Sequence, residues 1–248
     1  NDQEQRILPP AAKRDPVGQG MAIEAQLLGT RYVVPFSSMH RYQRTDSIWA
    51  DRYTTNVEDY RVGFESKTSE LLPAFIQYDC ERDQLQEIRP EQRTIIVREP
   101  EYFGDNWSDQ LESEEVKELQ QYFAPIEHLK EAFDFLTFRI GGKEHRIELA
   151  RRKFNKSLIF EVPRNSLVTA VRYRVFDDLL IGNFMKTTLH GNFGGANLYP
   201  NFTPYVAKYS DNGMARTRDE LEQYFAAYKL QAPFDFFRHV IEVNCKRV

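Results

Sequence analysis

Residues 33–47, VVPFSSMHRYQRTDS, end a short apolar run at a proline and open onto two serines, a histidine, two arginines and an aspartate. His40 is the residue of this stretch best suited to chemistry, because imidazole ligates zinc, iron or manganese and also serves as a base. Arg41 and Arg44 are of the type that recognises a carboxylate or phosphate through paired N–H donors, and Ser37 and Ser38 add short hydroxyl donors. Asp46 completes the group, either as a polar contact for a substrate or as the cap of a following helix. The structural alternative is equally concrete. His40 then caps a strand end and bonds a carboxylate, while Arg41, Arg44, Asp46 and Asp51 form a surface ion-pair network of little energetic worth.

Strand ends are where layered α/β folds place functional groups, since the sheet is rigid there and the next loop is open. The flanking sequence fits that setting. GQGMAIEAQLLGT (18–30) puts Met21, Ala22, Ala25, Leu27 and Leu28 largely on one side of a short helix that stops near Gly29. RYVVPF then reads as a strand carrying Val33, Val34 and Phe36, so helix and strand form one αβ unit.

The helix 22–29, the Val33–Val34–Pro35 strand and His40 together resemble the late part of a metallo-β-lactamase-fold domain, over roughly residues 18–65. The similarity is to the branch of ascorbate-6-phosphate-lactonase-like and CMP-sialic-acid-hydroxylase-like hydrolases. In that family the last helix packs on the sheet, and the next strand delivers the final metal-ligand histidine just past a proline. The family more often has that histidine two residues after the proline, where this chain has Ser37. The resemblance therefore implies His40 as a metal ligand or a substrate contact, with Ser37, Ser38, Arg41, Arg44 and Asp46 near a small anionic substrate. It also implies zinc, iron or manganese as cofactor, and a metal-activated water that attacks an ester, a lactone or a similar electrophile.

The family's HxHxDH motif is not present in this sequence. His40, His128, His145, His190 and His239 include no HxH, HxxxH or HExxH spacing, and GxSxG, a P-loop and GxGxxG are also missing. One histidine cannot build a hydrolytic metal site. The resemblance thus implies the C-terminal part of such a hydrolase, completed by a separate N-terminal half or partner subunit. A start at NDQEQRILPPAAKRDP without an initiator Met, signal-type n-region or apolar h-region agrees with that expectation. The competing expectation is a non-catalytic ligand-binding or subunit-assembly module.

Along the rest of the chain, Asn56 is a cap candidate before Glu58 and Asp59, and AFIQYD and RTIIVRE read as strands. SDQLESEEVKELQQYFAPIEHLKEAFDFL (108–136) is the clearest helical region, with Ser108 and Ser113 as cap candidates and Pro125 splitting it. Beyond it, FLTFRI and HRIEL around GGKE form a hairpin signal, and SLIFEVP and SLVTAVRYRVF read as further strands. DDLLIGNFMKTTLHG reads as a turn and short helix, where Asp177 and Asp178 are explained by capping as well as by a metal pair. The glycine-rich 191–197 reads as a loop. Thr217, with Glu220 three residues on, opens a C-terminal helix over 215–230.

The expected fold class is a layered α/β part, the C-terminal portion of a metallo-β-lactamase-like αββα fold over 1–107, followed by an α+β domain with an antiparallel sheet over 108–248. The second part faintly resembles a sterol-carrier-type domain, which packs helices on a sheet over an apolar tunnel. Tyr199, Phe202, Tyr205 and Tyr209 then line a cleft or simply cover the sheet.

Composition narrows the partners. Hydrophobic residues are 41% of the chain, enough for a real core. A net charge of −4 with 28% charged residues gives no whole-chain argument for nucleic acid or an anionic membrane. No run approaches the roughly 18 apolar residues of a membrane helix. Cys80 and Cys245 form no disulfide framework, which favours a reducing, cytoplasmic setting.

Overall fold

The computed structural model describes residues 17–36, 40–91, 94–151, 153–182, 184–193, 198, 201–210, 213 and 215–245. The chain is mixed α/β, with helices and small sheets, and divides into two compact units, Asn1–Glu99 and Pro100–Val248. The division lies eight residues before the boundary expected at 107/108 (107 − 99), so the EYFGDNWSD segment belongs with the second unit.

In the first unit, α1 (Val17–Leu28) buries Gly18, Ala22 and Ala25, spaced four and three residues apart. The periodicity of small residues decides the buried face. Leu27 and Leu28, expected on it, are 73% and 74% exposed. The chain turns at Gly29 and enters β1 (Tyr32–Val33), which pairs in parallel with β2 (Glu70–Leu71). Between them come a 3₁₀ turn, Ile48–Tyr53, and α2 (Val57–Arg61). The Asn56 N–H donates to the Asp59 carboxylate at 2.7 Å, as its capping sequence predicts. A hairpin of β3 (Ile76–Asp79) and β4 (Gln84–Glu87) follows.

RTIIVRE does not join a ladder. Ile95, Ile96 and Val97 are exposed, and only Arg98 makes a bridge, parallel to Arg44. Three successive β-branched residues favour extended backbone, but a strand also needs a neighbour.

The second unit is built on a four-stranded sheet ordered β6-β5-β7-β8. A 3₁₀ turn (Pro100–Phe103) and α3 (Ser113–Phe123) lead in, and Pro125 ends the helix, leaving a 3₁₀ turn at Glu127–Glu131. β5 (Phe135–Ile140) and β6 (Lys143–Glu148) form the expected hairpin, joined by Gly141 and Gly142. Both glycines have positive φ, 56° and 76°, the backbone a two-residue hairpin turn requires. β7 (Ser157–Glu161) lies parallel to β5, and β8 (Lys186–His190) returns antiparallel to β7.

Two expectations for 164–190 are corrected. SLVTAVRYRVF is not a strand: α4 (Arg164–Arg172) starts after Pro163 and buries Leu167, Ala170 and Val171 at helical spacing. The period outweighs the β-branched content, because burial of one face contributes more than strand propensity. After α5 (Phe176–Leu179) the KTTLH stretch is β8 rather than helix, its threonines packing on β7. The chain closes with α6 (Thr203–Tyr209), α7 (Arg218–Gln231) and α8 (Pro233–Cys245). Thr217 caps α7 by accepting the Glu220 N–H at 3.3 Å.

One apolar cluster fills this unit. Phe123, Phe138, Phe160, Phe176 and Phe202 are fully buried, with ring centroids 5.2–6.3 Å apart in tilted and edge-on pairs. Such pairs contribute about 0.5–1.5 kcal/mol each beyond their buried area. No helix among the described residues is long and apolar enough to cross a membrane.

Candidate functional site

α1 and β1 carry the chain to the His40 region. Thr30 N–H donates back to the Ala25 carbonyl at 3.0 Å, and Leu72 N–H donates to Val33 at 2.9 Å, fixing β1 against β2. Pro35 is buried and Phe36 is 87% exposed, so the chain leaves the interior between these two residues. Ser37 and Ser38 lie outside the described residues.

His40 is exposed. Its ring meets Tyr42 edge-on, with centroids 4.8 Å apart. The Tyr42 N–H donates to the Asp51 carboxylate at 2.7 Å, which ties the segment to the following 3₁₀ turn. Arg44 and Asp46 are brought together as a pair, with Nε and a terminal nitrogen donating to the two carboxylate oxygens at 3.1 and 2.8 Å. Both side chains are largely buried, so this two-point contact is geometrically fixed. Arg98 N–H donates to Gln43 at 2.8 Å, and Thr45 N–H to Arg98 at 3.1 Å, bracing the same loop from behind. Arg41 is exposed, and no described residue pairs with it.

Of the residues singled out from the sequence, the structure thus joins Arg44 to Asp46 and sets His40 beside Tyr42. Arg41 remains the open cation of the group. Among the described residues no group of three or more His, Cys, Asp and Glu is arranged to hold a metal. A zinc, iron or manganese centre needs about three protein ligands, so the donor set described here does not by itself fit such an ion.

A second constellation lies at the β3–β4 turn. The Arg31 guanidinium donates to Asp83 at 2.6 Å, while the Tyr32 and Tyr78 hydroxyls donate to its other oxygen. The hydrogen bond to Asp83 pushes the Tyr78 hydroxyl up to about 12, and the donation of Tyr78 and Arg31 holds the Asp83 carboxyl low. This carboxylate knots the hairpin to β1.

The third lies on the outer face of the four-stranded sheet. A shallow depression of about 290 Å³ is lined by Trp107, Arg139, Gly141, Gly142, Glu161 and Lys186. Register makes its charges pair across strands: Arg139 bonds Glu144 at 2.9 Å and Glu161 at 3.4 Å, and Lys186 bonds Glu161 at 2.9 Å. Two cations and two carboxylates satisfy one another, leaving little to recognise a charged ligand. The Arg139–Glu144 pair was readable from the hairpin, since a two-residue turn places 139 opposite 144. The Glu161 and Lys186 contacts were not, because they depend on the pairing of β7 with its neighbours. The other aromatics named from the sequence divide: Phe202 and Tyr209 are buried, Tyr205 stacks on His128 at 4.5 Å, and Tyr199 lies outside the described residues.

No family model, curated protein or solved structure matches the chain.

Proposed function

We propose that the Asn1–Glu99 unit is one part of a metal-dependent hydrolase of small anionic substrates, and that the other metal ligands lie on polypeptide beyond these 248 residues. The observation that carries this reading is the setting of His40: exposed, shortly beyond the end of the half-buried β1, on a loop braced by Asp51 and Arg98. Arg41 beside it in sequence is the open cation for a carboxylate or phosphate.

The open sheet of the same unit supports completion by further polypeptide. β1 and β2 form a parallel pair of two residues each, whereas parallel sheets are ordinarily covered on both faces. The β-branched run at Ile95, Ile96 and Val97 stands exposed without a ladder.

The test is His40→Ala in the protein isolated from its source with every polypeptide it carries. Expected is a loss of bound zinc, iron or manganese of at least about tenfold in affinity, with a parallel loss of ester or lactone hydrolysis. Unchanged metal content and rate would remove His40 from the site. The exposed apolar surface then supports the second reading, a subunit-assembly module without chemistry of its own.

A further inference from the structure

Five arginines of the Pro100–Val248 unit are engaged among the described residues. Arg139, Arg146, Arg164, Arg172 and Arg218 each pair with a carboxylate. The loop between β6 and β7 departs from that pattern. Its sequence LARRKFNK (149–156) holds four cations within six residues, on a chain whose net charge is −4. Arg152 lies outside the described residues. Arg151 and Lys153 are exposed, Lys156 is half-buried, and none of the three has a carboxylate partner among the described residues.

Hydrogen bonds to Asp134 hold both ends of the loop. The Lys153 and Phe154 N–H groups donate to the buried Asp134 carboxylate at 2.7 and 3.0 Å. The Asp134 N–H donates to the Lys156 carbonyl at 2.8 Å, and Leu149 and Ala150 donate to the Asp134 carbonyl at 2.9 Å. From the side, Gly191 approaches so closely that a Cβ there would strike the Asn155 carbonyl. Lys153 and Lys156 are therefore displayed from a held backbone, so binding does not have to order these two positions. Each lysine also lies near an aromatic ring, Lys153 at 5.1 Å from Phe154 and Lys156 at 5.9 Å from Phe193.

We propose that Arg151, Lys153 and Lys156 of this loop form a docking surface for anionic phospholipid headgroups, making reversible peripheral contact with a membrane. The inner side of the loop cannot cradle a lone phosphate, because the Asp134 carboxylate already takes its amides. Anions are met only from outside, by several side chains at once. Nucleic-acid binding built on about six to ten phosphate contacts is more than the cations of this loop supply. A charged bilayer accepts fewer, each nearby Lys or Arg strengthening binding about fivefold. The whole-chain charge hides this local excess. The proposal stands whether or not His40 holds a metal.

Sedimentation of the full chain with phosphatidylcholine vesicles, with and without about one third phosphatidylserine, tests it. Expected is binding to the anionic vesicles alone, weakening with salt, and lowered roughly twenty-five-fold by the double change Arg151→Gln and Lys153→Gln. Among the described residues neither side chain has a hydrogen-bond or ion-pair partner, so the thermal midpoint of the variant should match the parent. Lys156→Gln, made separately, should lower binding by a single such step of about fivefold. No binding to anionic vesicles, equal binding to both kinds, or parental binding by the double variant would overturn the proposal. So would retention of a DNA duplex in place of the vesicles.

Discussion

Asp134 shows how one side chain shapes a functional surface. Burial pushes its carboxyl up, but the backbone N–H groups from Lys153 to Lys156 more than offset this and hold it below its ordinary value of 3.8. A carboxyl lowered by folding contributes stability that is complete above the unfolded value and lost as pH falls through the folded one. Asp134→Asn should therefore be less stable at neutral pH, with a shallower loss of urea midpoint toward about pH 3. A steeper acid loss in the variant would refute this. His128 and His145 act at a higher pH. Burial lowers both, aided by the Arg218 charge for His128 and by Lys143 for His145. Their folded values lie under the ordinary 6.5, so the unfolded chain binds protons first. Stability should be full above that value and fall below it, and replacing both histidines with Gln should flatten the urea midpoint across that range.

At the scale of elements, α4 is held by residues far from it in sequence. Pro163 at its start offers no side-chain cap, and Asp105 supplies one instead: the Ser166 N–H and hydroxyl donate to its carboxylate at 2.9 and 2.5 Å. Arg164 binds Glu115 at 2.8 and 2.7 Å and Glu112 at 2.7 Å, joining α4 to α3. Asp105→Ala should cost about 1–2 kcal/mol, a fall of several degrees in thermal midpoint that Asp105→Asn largely restores. These remote partners explain why α4 was misjudged in the sequence. Its N-cap position holds a proline, which supplies no side-chain cap, and the β-branched Val168, Val171 and Val175 favour strand. The Leu167, Ala170 and Val171 spacing was the available signal. By contrast, the GG turn, the Pro125 break and the Thr217 cap act through local backbone geometry, and each was readable in place. The His40 loop was readable only as a collection of residue types. That Arg44 would close on Asp46 while Arg41 stayed open depends on Gln43, Thr45 and Arg98, which no local pattern connects.

For the molecule as a whole, the two units differ in how they hold themselves together. Among its described residues, the Pro100–Val248 unit gathers twenty-four buried hydrophobic residues into one cluster. Among the described residues, the Asn1–Glu99 unit buries six (Ala22, Ala25, Val33, Ala50, Tyr60 and Leu72) and leaves twelve large hydrophobics exposed. Stability scales with buried apolar area, at roughly 25 cal/mol per Å². A unit that exposes more large apolar side chains than it buries gains from a cover, and the further polypeptide proposed to complete a metal site would supply that burial as well. The most direct measurement is the native mass and metal content of the protein as its source makes it. Expected is a species heavier than the 29.2 kDa of this chain by further polypeptide of a different sequence, carrying bound metal. A species made of this chain alone that binds one equivalent of zinc tightly would contradict it.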